Sequence, residues 1–324
     1  MMSQSVDISA IVVTYNRNGA LRQTLECLLK QDPAPKEILV VDQSQQHDEE
    51  TSQFLRRVSE AQQIRYIFQP EPNAQKARNR AISEAAGEVL LFVDDDVVMD
   101  ETLVGAHWKN YSDHELAAVC GYYTEPGSDA IDELTPDSLD PLTGWLYFPH
   151  AYTKRMECHS LATCNGSIRR QVAIQVGGFD ENYTYTHLDD TDFSARLKKL
   201  GVKAVHDPEA RLIHLKEIAG GKRPGGINEY VIADSNRWYT WFYFFWMNFG
   251  WDGRREITRR LRACVFRRKN VMRPWYLTIA LAHFFIGLVR ASATIRRGRK
   301  LPIFRTAAPA SSMPTINRSQ ESIA

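Results

Sequence analysis

The first hundred residues alternate between short runs of apolar, β-branched residues and longer segments whose apolar residues repeat at helical spacing. The short runs predict buried strands of a parallel sheet, and the longer segments predict amphipathic helices. Strands are predicted over residues 8–14, 37–42, 64–68 and 88–93, and helices over residues 19–30, 49–61 and 73–86, with Gly87 ending the last helix. Alternation at this spacing is typical of an α/β fold in which helices cover both faces of a mostly parallel sheet.

The pattern is less regular further along the chain. Residues 124–160 are rich in Pro and Gly and predict a long loop, which is either an acceptor loop or lid, or a surface excursion. Order returns over residues 166–176 and ends in a turn at Gly177-Gly178. A helix over residues 192–200 and short strands over residues 202–206 and 211–215 are predicted after it.

From about residue 226 the chain becomes aromatic and apolar. Residues 238–249 read WYTWFYFFWMNF, and residues 275–289 form a 15-residue apolar run. Neither reaches the roughly 20 residues that cross a bilayer comfortably. Flanking Arg and edge Trp and Tyr favour helices that lie in a membrane interface, and the alternative is a helical hairpin packed on the rest of the protein.

We therefore predict three regions along the chain. Residues 1–225 form the α/β domain, residues 226–305 form the helical, aromatic and basic region, and residues 306–324, rich in Ser, Pro and Ala, form a disordered tail.

Charge is divided unevenly between these regions. Residues 253–300 hold 14 Lys and Arg against one acid, whereas residues 1–252 carry a net charge of −13 in a chain of net charge +1. A basic segment attracts anionic lipid or nucleic acid. Because this one accompanies the apolar runs, we expect peripheral contact with an anionic membrane and no nucleic-acid partner.

The cysteines and the N-terminus bear on the compartment. Five cysteines are scattered without a CxxC pair, which fits a reducing compartment better than a disulfide framework or a zinc site. The first residues lack a basic stretch followed by an apolar run, so we expect no secretory signal. The expected location is cytoplasmic, peripheral at the cytoplasmic face of the plasma membrane.

Polar residues follow three of the predicted strands: Thr14-Tyr15-Asn16-Arg17, Asp42, and Asp94-Asp95-Asp96. Ligands bind at the carboxyl ends of parallel strands, so these residues should converge on one crevice. Three adjacent carboxylates repel one another, and a divalent cation such as Mg²⁺ or Mn²⁺ would offset that repulsion. The alternative is an acidic turn before the next helix.

One of these candidates ends a predicted strand, and further candidates open a predicted helix. Asp42 can accept a hydrogen bond from a ribose or base, or simply start a turn. Lys76, Arg78 and Arg80 open a helix near the crevice, where basic groups and a helix N-terminus favour a diphosphate; the alternative is a solvated basic face.

The acids of the later helix have two interpretations. An acid within residues 189–192 is either a general base or the N-cap of the helix. His214 follows a short strand, and a lone histidine of this kind is usually structural. The chain has no Gly-rich phosphate loop, no GxGxxG and no GxSxG, which argues against P-loop enzymes, dinucleotide-dependent dehydrogenases and serine hydrolases.

Taken together, these segments resemble the family 2 glycosyltransferases of the GT-A fold. The resemblance runs through residues 8–217, over IVVTYNR, VVDQS, NAQKARNRAISEAAGEVLLFVDDD, GGFDENY, LDDTDFSARLKKLG and DPEARLIH. It implies a Rossmann-like catalytic domain that transfers a sugar, with inversion, from a nucleotide-diphosphate donor to a hydroxyl of a glycan or lipid-linked acceptor. A UDP-sugar is the expected donor and dTDP-rhamnose the alternative.

The resemblance also implies roles for individual residues. Asp94–Asp96 match the family's DxD motif, Asp96 would bind Mn²⁺ or Mg²⁺ together with His214, and Asp190 would be the catalytic base. Asp189-Asp190 stands where many members have Glu-Asp, so Asp189 remains a second candidate. The implied donor-binding residues are Thr14, Tyr15, Arg17, Asp42, Arg78, Asp94 and Asp95.

Two other classes of protein remain as alternatives. A nucleotidyltransferase can also use a parallel sheet, acids and a metal, but its first loop is usually rich in Gly and Lys, unlike TYNRNGAL. A catalytically inactive nucleotide-sugar-binding protein would lack part of the acid set, which is present here.

Overall fold

The computed structural model describes residues 5–134, 150–184, 188–217, 219–221, 234–266 and 271–304. Its strands are β1 (Val6–Thr14), β2 (Pro35–Asp42), β3 (Arg65–Phe68), β4 (Val89–Val93), β5 (Val97–Met99), β6 (Leu116–Thr124), β7 (Met156–Glu157), β8 (Asn165–Arg169) and β9 (Lys203–His214). Its α-helices are α1 (Gly19–Leu29), α2 (Glu49–Glu60), α3 (Ala74–Glu84), α4 (Leu103–Trp108), α5 (Arg170–Gln175), α6 (Asp189–Leu200), α7 (Ser235–Phe249), α8 (Arg254–Cys264) and α9 (Pro274–Arg297).

One nine-stranded sheet runs through the α/β part in the order β3-β2-β1-β4-β8-β6-β9-β5, with β7 paired to β9. Strands β1 to β4 are parallel to one another, as the first hundred residues predict. Strand β8 then lies antiparallel between β4 and β6, so the sheet as a whole is mixed. The α/β architecture is confirmed. The parallel strands β1 to β4 form one half of the sheet, and in the other half β6 and β9 are also parallel to each other.

Helices cover both faces of this sheet, and the alternation of strand side chains explains why. Ala10 and Val12 of β1 pack in one core with helices α1, α2 and α4. Ile11 of the same strand packs on the other face, in a core with α3, α5 and α6. Because both faces of each central strand are buried, the strands are continuous apolar runs.

Side-chain caps begin two of the predicted helices. Asp48 accepts a hydrogen bond from the backbone N–H of Thr51 to begin α2, and Asn73 caps α3 in the same way. Helix α3 ends at Glu84, before Gly87, so the prediction that Gly87 ends it is wrong. Gly87 instead permits close approach of β1, because a Cβ there would lie 2.5 Å from the backbone nitrogen of Ser9.

Two predictions for the later part of the α/β domain need correction. Helix α6 begins at Asp189, so Asp189, Asp190 and Asp192 lie in its first turn instead of preceding it, and its N-cap residue, Leu188, makes no side-chain capping hydrogen bond. Acids in a first turn complement the helix dipole. The two short strands predicted over residues 202–206 and 211–215 are the single strand β9, whose pairing with β6 shifts register between them.

Helices α7, α8 and α9 form a third core with Tyr183 and Ala195 of the α/β part. Aromatic rings hold α7 to α9, as where Trp238 meets Phe284 edge-on with ring centroids 5.1 Å apart. The apolar run predicted over residues 275–289 continues as a 24-residue helix, which is long and apolar enough to cross a membrane, and 22% of its most apolar 18-residue window is buried.

The chain returns to the α/β part after α9. Leu301 and Phe304 pack against the turn at Gly177 and Gly178, where an added Cβ would meet their side chains. The end of the helical region is thus bound to the α/β part. The predicted boundary between residues 225 and 226, and the predicted disordered tail over residues 306–324, lie outside the described residues.

Candidate functional site

A cavity of about 450 Å³ opens at the carboxyl ends of β1 and β4, beside the end of β9. Ten of the eleven predicted site residues line it: Thr14, Tyr15, Arg17, Arg78, Asp94, Asp95, Asp96, Asp189, Asp190 and His214. Asp42 is the predicted residue that the structure does not bring into this lining. Strand ends that share one edge of the sheet explain the convergence.

Arg17 lies at the centre of the polar network on one side of the cavity. Its Nη1 donates hydrogen bonds to the carbonyl oxygens of Glu217 and Ala219 at 2.8 and 2.5 Å. Its Nη2 lies 3.2 Å from Oδ2 of Asp96, and its Nε lies 3.5 Å from Oδ1 of Asp95. The guanidinium therefore contacts two of the three adjacent acids, offsets part of their negative charge and holds the segment after β9 against them.

Glycines complete the fit of that segment against the β1 end. The backbone N–H of Gly221 donates to the carbonyl oxygen of Tyr15 at 2.8 Å. Gly220 has a φ of +81°, and a Cβ there would lie 2.1 Å from the carbonyl oxygen of Asn16. Only glycine fits this position, because both the backbone conformation and the space exclude a side chain.

The three adjacent acids have different environments. Burial raises the pKa of Asp95 to about 7. Burial acts in the same direction on Asp96, but contacts with His214 and Arg17 outweigh it and lower the pKa of Asp96 below its ordinary value. Asp94 is half-buried, and its Oδ2 lies 3.6 Å from Nε2 of His214.

The residues around His214 fit a divalent cation. Nε2 of His214 lies 3.1 Å from Oδ1 of Asp96, on the side where Asp94 also approaches. The other ring nitrogen, Nδ1, is buried and has no hydrogen-bond partner among the described residues. Carboxylates suit Mg²⁺ and Mn²⁺, and an imidazole is a common ligand of transition metals.

The two acids at the start of α6 differ in what they contact. Asp189 is buried, and its Oδ2 accepts a hydrogen bond from Nη1 of Arg78 at 2.8 Å. Asp190 is half-buried, and its Oδ1 accepts from the backbone N–H of Thr191 at 2.7 Å. Arg78 and Asp189 thus form an ion pair within the cavity. Of the two acids, Asp190 is the less buried.

Asp42 is fully buried beside the cavity and is held by its neighbours. Its Oδ2 accepts hydrogen bonds from Nε2 of His47 at 2.5 Å and from the hydroxyl of Tyr66 at 2.7 Å, and its Oδ1 accepts from the backbone N–H of Ser44. Burial opposes ionisation, but these hydrogen bonds lower the pKa of Asp42. The bond to Asp42 raises the pKa of His47.

The cavity also contains residues that the sequence did not identify. Cys164 lines it immediately before β8, and one ligand atom each from Cys164, Asp94 and His214 lie within 4.8 Å of one another. Lys216 lines it as well and forms an ion pair with Glu125 at 2.7 Å. Tyr123 packs edge-on against His214, with ring centroids 6.2 Å apart. These residues carry no motif, and strand pairing alone brings them here.

The fold and this cavity define an α/β protein with an acidic, cation-compatible pocket at its strand ends. The sequence profile described as Glycosyl transferase family 2 matches residues 9–177 of the chain. The chain belongs to this family.

Relatives and solved structures agree with that assignment. The validoxylamine A glucosyltransferase of Streptomyces hygroscopicus subsp. limoneus is 24% identical over 220 residues, which cover 60% of this chain and 48% of that protein. The N-acetylglucosaminyl-diphospho-decaprenol L-rhamnosyltransferase of Mycobacterium tuberculosis (strain ATCC 25618 / H37Rv) is 40% identical over 57 residues, or 18% of each chain. The chain spans about half the length of the first relative and a much smaller part of the second.

Structural similarity extends over most of the chain. S. aureus TarS 1-349 is similar with a TM-score of 0.52 and 15% identity, over 90% of this chain and 73% of that one. The mannosyltransferase PcManGT from Pyrobaculum calidifontis, solved with GDP-Man and Mn²⁺, has a TM-score of 0.51 and 16% identity, over 91% of this chain and 80% of that one. At these identities the likeness establishes the GT-A fold, which confirms the predicted fold class.

Proposed function

We propose that this chain transfers a sugar from a nucleotide diphosphate to a hydroxyl of a glycan or lipid-linked acceptor, with inversion at the anomeric carbon. The observation that supports this most directly is the convergence of Asp94–Asp96, His214 and Asp189–Asp190 on one cavity. Family membership favours sugar transfer over a nucleotidyltransferase reaction. The full set of acids favours an active enzyme over an inactive binding protein.

Asp190 is the proposed base. It takes the proton from the acceptor hydroxyl as that oxygen attacks the anomeric carbon. Asp190 is the less buried of the two acids, which supports this role, whereas Asp189 is paired with Arg78 at 2.8 Å. Asp189 is therefore the proposed positioning partner of Arg78, which lies near the donor diphosphate.

Asp96 and His214, with Asp94 beside them, would hold Mn²⁺ or Mg²⁺. A bound cation stabilises negative charge on the departing diphosphate. Thr14, Tyr15 and Asp95 are the remaining proposed donor contacts within the cavity. Arg17 keeps Asp95 and Asp96 in place. Asp42 is proposed to act beside the nucleotide base of the donor, through the hydroxyl of Tyr66 and the ring of His47.

UDP-sugars are the proposed donors, with dTDP-rhamnose as the alternative. Among the relatives, one is named for glucosyl transfer and another for rhamnosyl transfer to a lipid-linked diphosphate. A screen of UDP- and dTDP-sugars by thermal shift with Mn²⁺ identifies the donor, because a ligand that binds the folded state raises the unfolding temperature. Transfer is then measured with that donor and lipid-linked acceptors. If no nucleotide sugar stabilises the protein and none is consumed, the proposal is wrong.

The helical region supports peripheral binding to an anionic membrane surface, at the cytoplasmic face of the plasma membrane. Large apolar side chains of α9 are exposed, among them Trp275 at 63% and Phe285 at 56%. Basic α8 lies beside α7, and Trp251, at 69% exposure, precedes it. None of the five cysteines, all of which lie in described segments, forms a disulfide bond, in keeping with a reducing compartment.

Co-flotation with vesicles tests this placement. The full chain should float with phosphatidylglycerol vesicles and less with phosphatidylcholine vesicles, and added salt should weaken binding. Trp275→Ser with Phe285→Ser should reduce flotation. Phe68→Ser is the matched control, because Phe68 is also exposed, at 47%, but lies on the edge strand β3. Equal flotation of all variants would contradict the membrane proposal and leave sugar transfer untouched.

A further inference from the structure

Cys164 occupies a position in the cavity that nothing in the sugar-transfer proposal requires. It is 6% exposed, lies immediately before β8 and lines the cavity. The next residue, Asn165, is anchored on both sides. Its Nδ2 donates to the carbonyl oxygens of Tyr122 and Ala210 at 2.8 Å each, and its Oδ1 lies 2.9 Å from Nε2 of His107. Because the residue next to Cys164 is held in this way, the position of Cys164 at the cavity wall is fixed as well.

The sulfur of Cys164 meets two other groups that bind metals. One ligand atom each from Asp94, Cys164 and His214 lie within 4.8 Å of one another. The three residues come from different elements, namely the end of β4, the start of β8 and the end of β9. Three donors with carboxylate, thiol and imidazole chemistry, brought together by three strands, form a preorganised ligand set.

The surrounding charges favour a cation on the side of the acids that faces His214 and Cys164. Arg17 lies against Asp95 and Asp96, at 3.5 and 3.2 Å, and so would repel a cation placed between itself and them. On the side away from Arg17, Oδ2 of Asp94 and Oδ1 of Asp96 approach Nε2 of His214, at 3.6 and 3.1 Å. Two further basic residues line the cavity, and both are paired: Lys216 with Glu125 at 2.7 Å and Arg78 with Asp189 at 2.8 Å. The least repelled position for a divalent ion is therefore next to Asp94, His214 and Cys164.

We propose that Cys164 is a further direct ligand of the cation in this cavity, beside Asp94, Asp96 and His214, and that the site consequently prefers Mn²⁺ or Co²⁺ over Mg²⁺. On binding, the S–H bond of Cys164 breaks, its proton leaves to solvent, and a sulfur–metal bond forms. Thiolate and imidazole suit transition metals, whereas Mg²⁺ prefers oxygen ligands. This inference rests on the proposed use of a cation by the enzyme and adds the identity of one ligand.

Cobalt reports sulfur ligation directly. Titration of the full chain with Co²⁺ in the presence of UDP should produce a near-ultraviolet sulfur-to-cobalt charge-transfer band. Cys164→Ala should abolish that band and weaken Co²⁺ binding at least about tenfold, since loss of a ligand costs no less than loss of an outer-shell partner. Binding of Mg²⁺, measured by calorimetry, should change much less.

Cys158→Ala is the matched control. Cys158 has the same exposure, 6%, and belongs to the same apolar cluster, but it is not part of the three-donor group. It should keep the cobalt band. The wild-type spectrum decides even if Cys164→Ala folds poorly, because a Co²⁺ complex that lacks the band overturns the proposal without any variant.

A band that persists in folded Cys164→Ala also overturns it. Neither of these results touches sugar transfer, which is measured separately with donor and acceptor. Failure of the wild type to bind any divalent ion with UDP overturns the ligand assignment, and transfer measured in EDTA then decides whether the proposed function stands without a cation.

Discussion

Nη1 of Arg299 lies 2.6 Å from Oδ1 of Asp192, and so joins the segment after α9 to the helix that begins with Asp189 and Asp190. Asp192 is fully buried, and Arg196 and Asn248 also bind it. Burial opposes ionisation of Asp192, but its two arginine partners lower its pKa below the ordinary value. The helical region is thereby linked to the proposed catalytic helix through one buried ion-pair network.

Arg299→Ala should therefore destabilise the whole protein. The substitution leaves a buried carboxylate with one charged partner fewer, and breaking a buried pair typically costs about 3 kcal/mol or more. Equilibrium unfolding in urea, followed by circular dichroism, measures the change in the free energy of unfolding.

Arg259→Ala is the control for that measurement. Arg259 is exposed, and its guanidinium pairs with Glu256 one turn away on α8. An exposed pair of this kind contributes less than about 1 kcal/mol. If both substitutions have the same small effect, Arg299 does not fasten the helical region to the α/β part.

Asp190→Asn should lower kcat by about 10²- to 10⁴-fold, because the amide cannot take the acceptor proton. Donor affinity should stay close to that of the wild type, since Asp190 is not the acid that pairs with Arg78. Single-turnover transfer and donor binding by calorimetry separate the two effects. Wild-type turnover in this variant would rule Asp190 out as the base.

Asp189→Asn serves as the companion variant. The substitution weakens the bond to Arg78, so we expect donor affinity, stability and activity all to fall. A variant that loses turnover alone, with donor binding and stability intact, would exchange the assigned roles of the two acids.

Asp96→Asn should remove most of the stabilisation that UDP and Mn²⁺ give the protein. At a ligand concentration of 100 times Kd, binding to the folded state contributes about 2.7 kcal/mol. EDTA should have the same effect on the wild type. Asp113→Asn, which alters an exposed ion pair with Lys203, is the control. A UDP-dependent thermal shift that survives both EDTA and Asp96→Asn would exclude the cation from donor binding.

The sequence predicts which residues of the parallel strands come together at the cavity, for a physical reason. Thr14, Arg17 and Asp94 follow apolar strands, and the ends of neighbouring parallel strands must share an edge. By the same rule, Asp42 is expected in the crevice. That His47 and Tyr66 surround its carboxylate is not predictable from the sequence, because the direction of a loop side chain depends on tertiary packing.

The antiparallel half of the site was not predictable in this way. Cys164 reaches the cavity because β8 inserts antiparallel between β4 and β6, and a single sequence contains no signal for that pairing. Strand β5 has three residues, too few to show a period. The start of α6 was placed three residues late because its first turn is acidic and resembles a loop.

The pair formed by His47 and Asp42 makes part of the stability depend on pH. The hydrogen bond to Asp42 raises the pKa of His47 in the folded protein above its value of about 6.5 in an unfolded chain. Protonation thus favours the folded state. The charged-pair contribution is complete below the unfolded pKa and is lost as pH rises through the folded pKa.

His47→Gln should therefore destabilise the protein more at pH 6 than at pH 9, as measured by urea unfolding at both values. His114→Gln, at an exposed histidine, is the control. A destabilisation by His47→Gln that is equal at the two pH values would mean that the pair contributes through a neutral hydrogen bond alone.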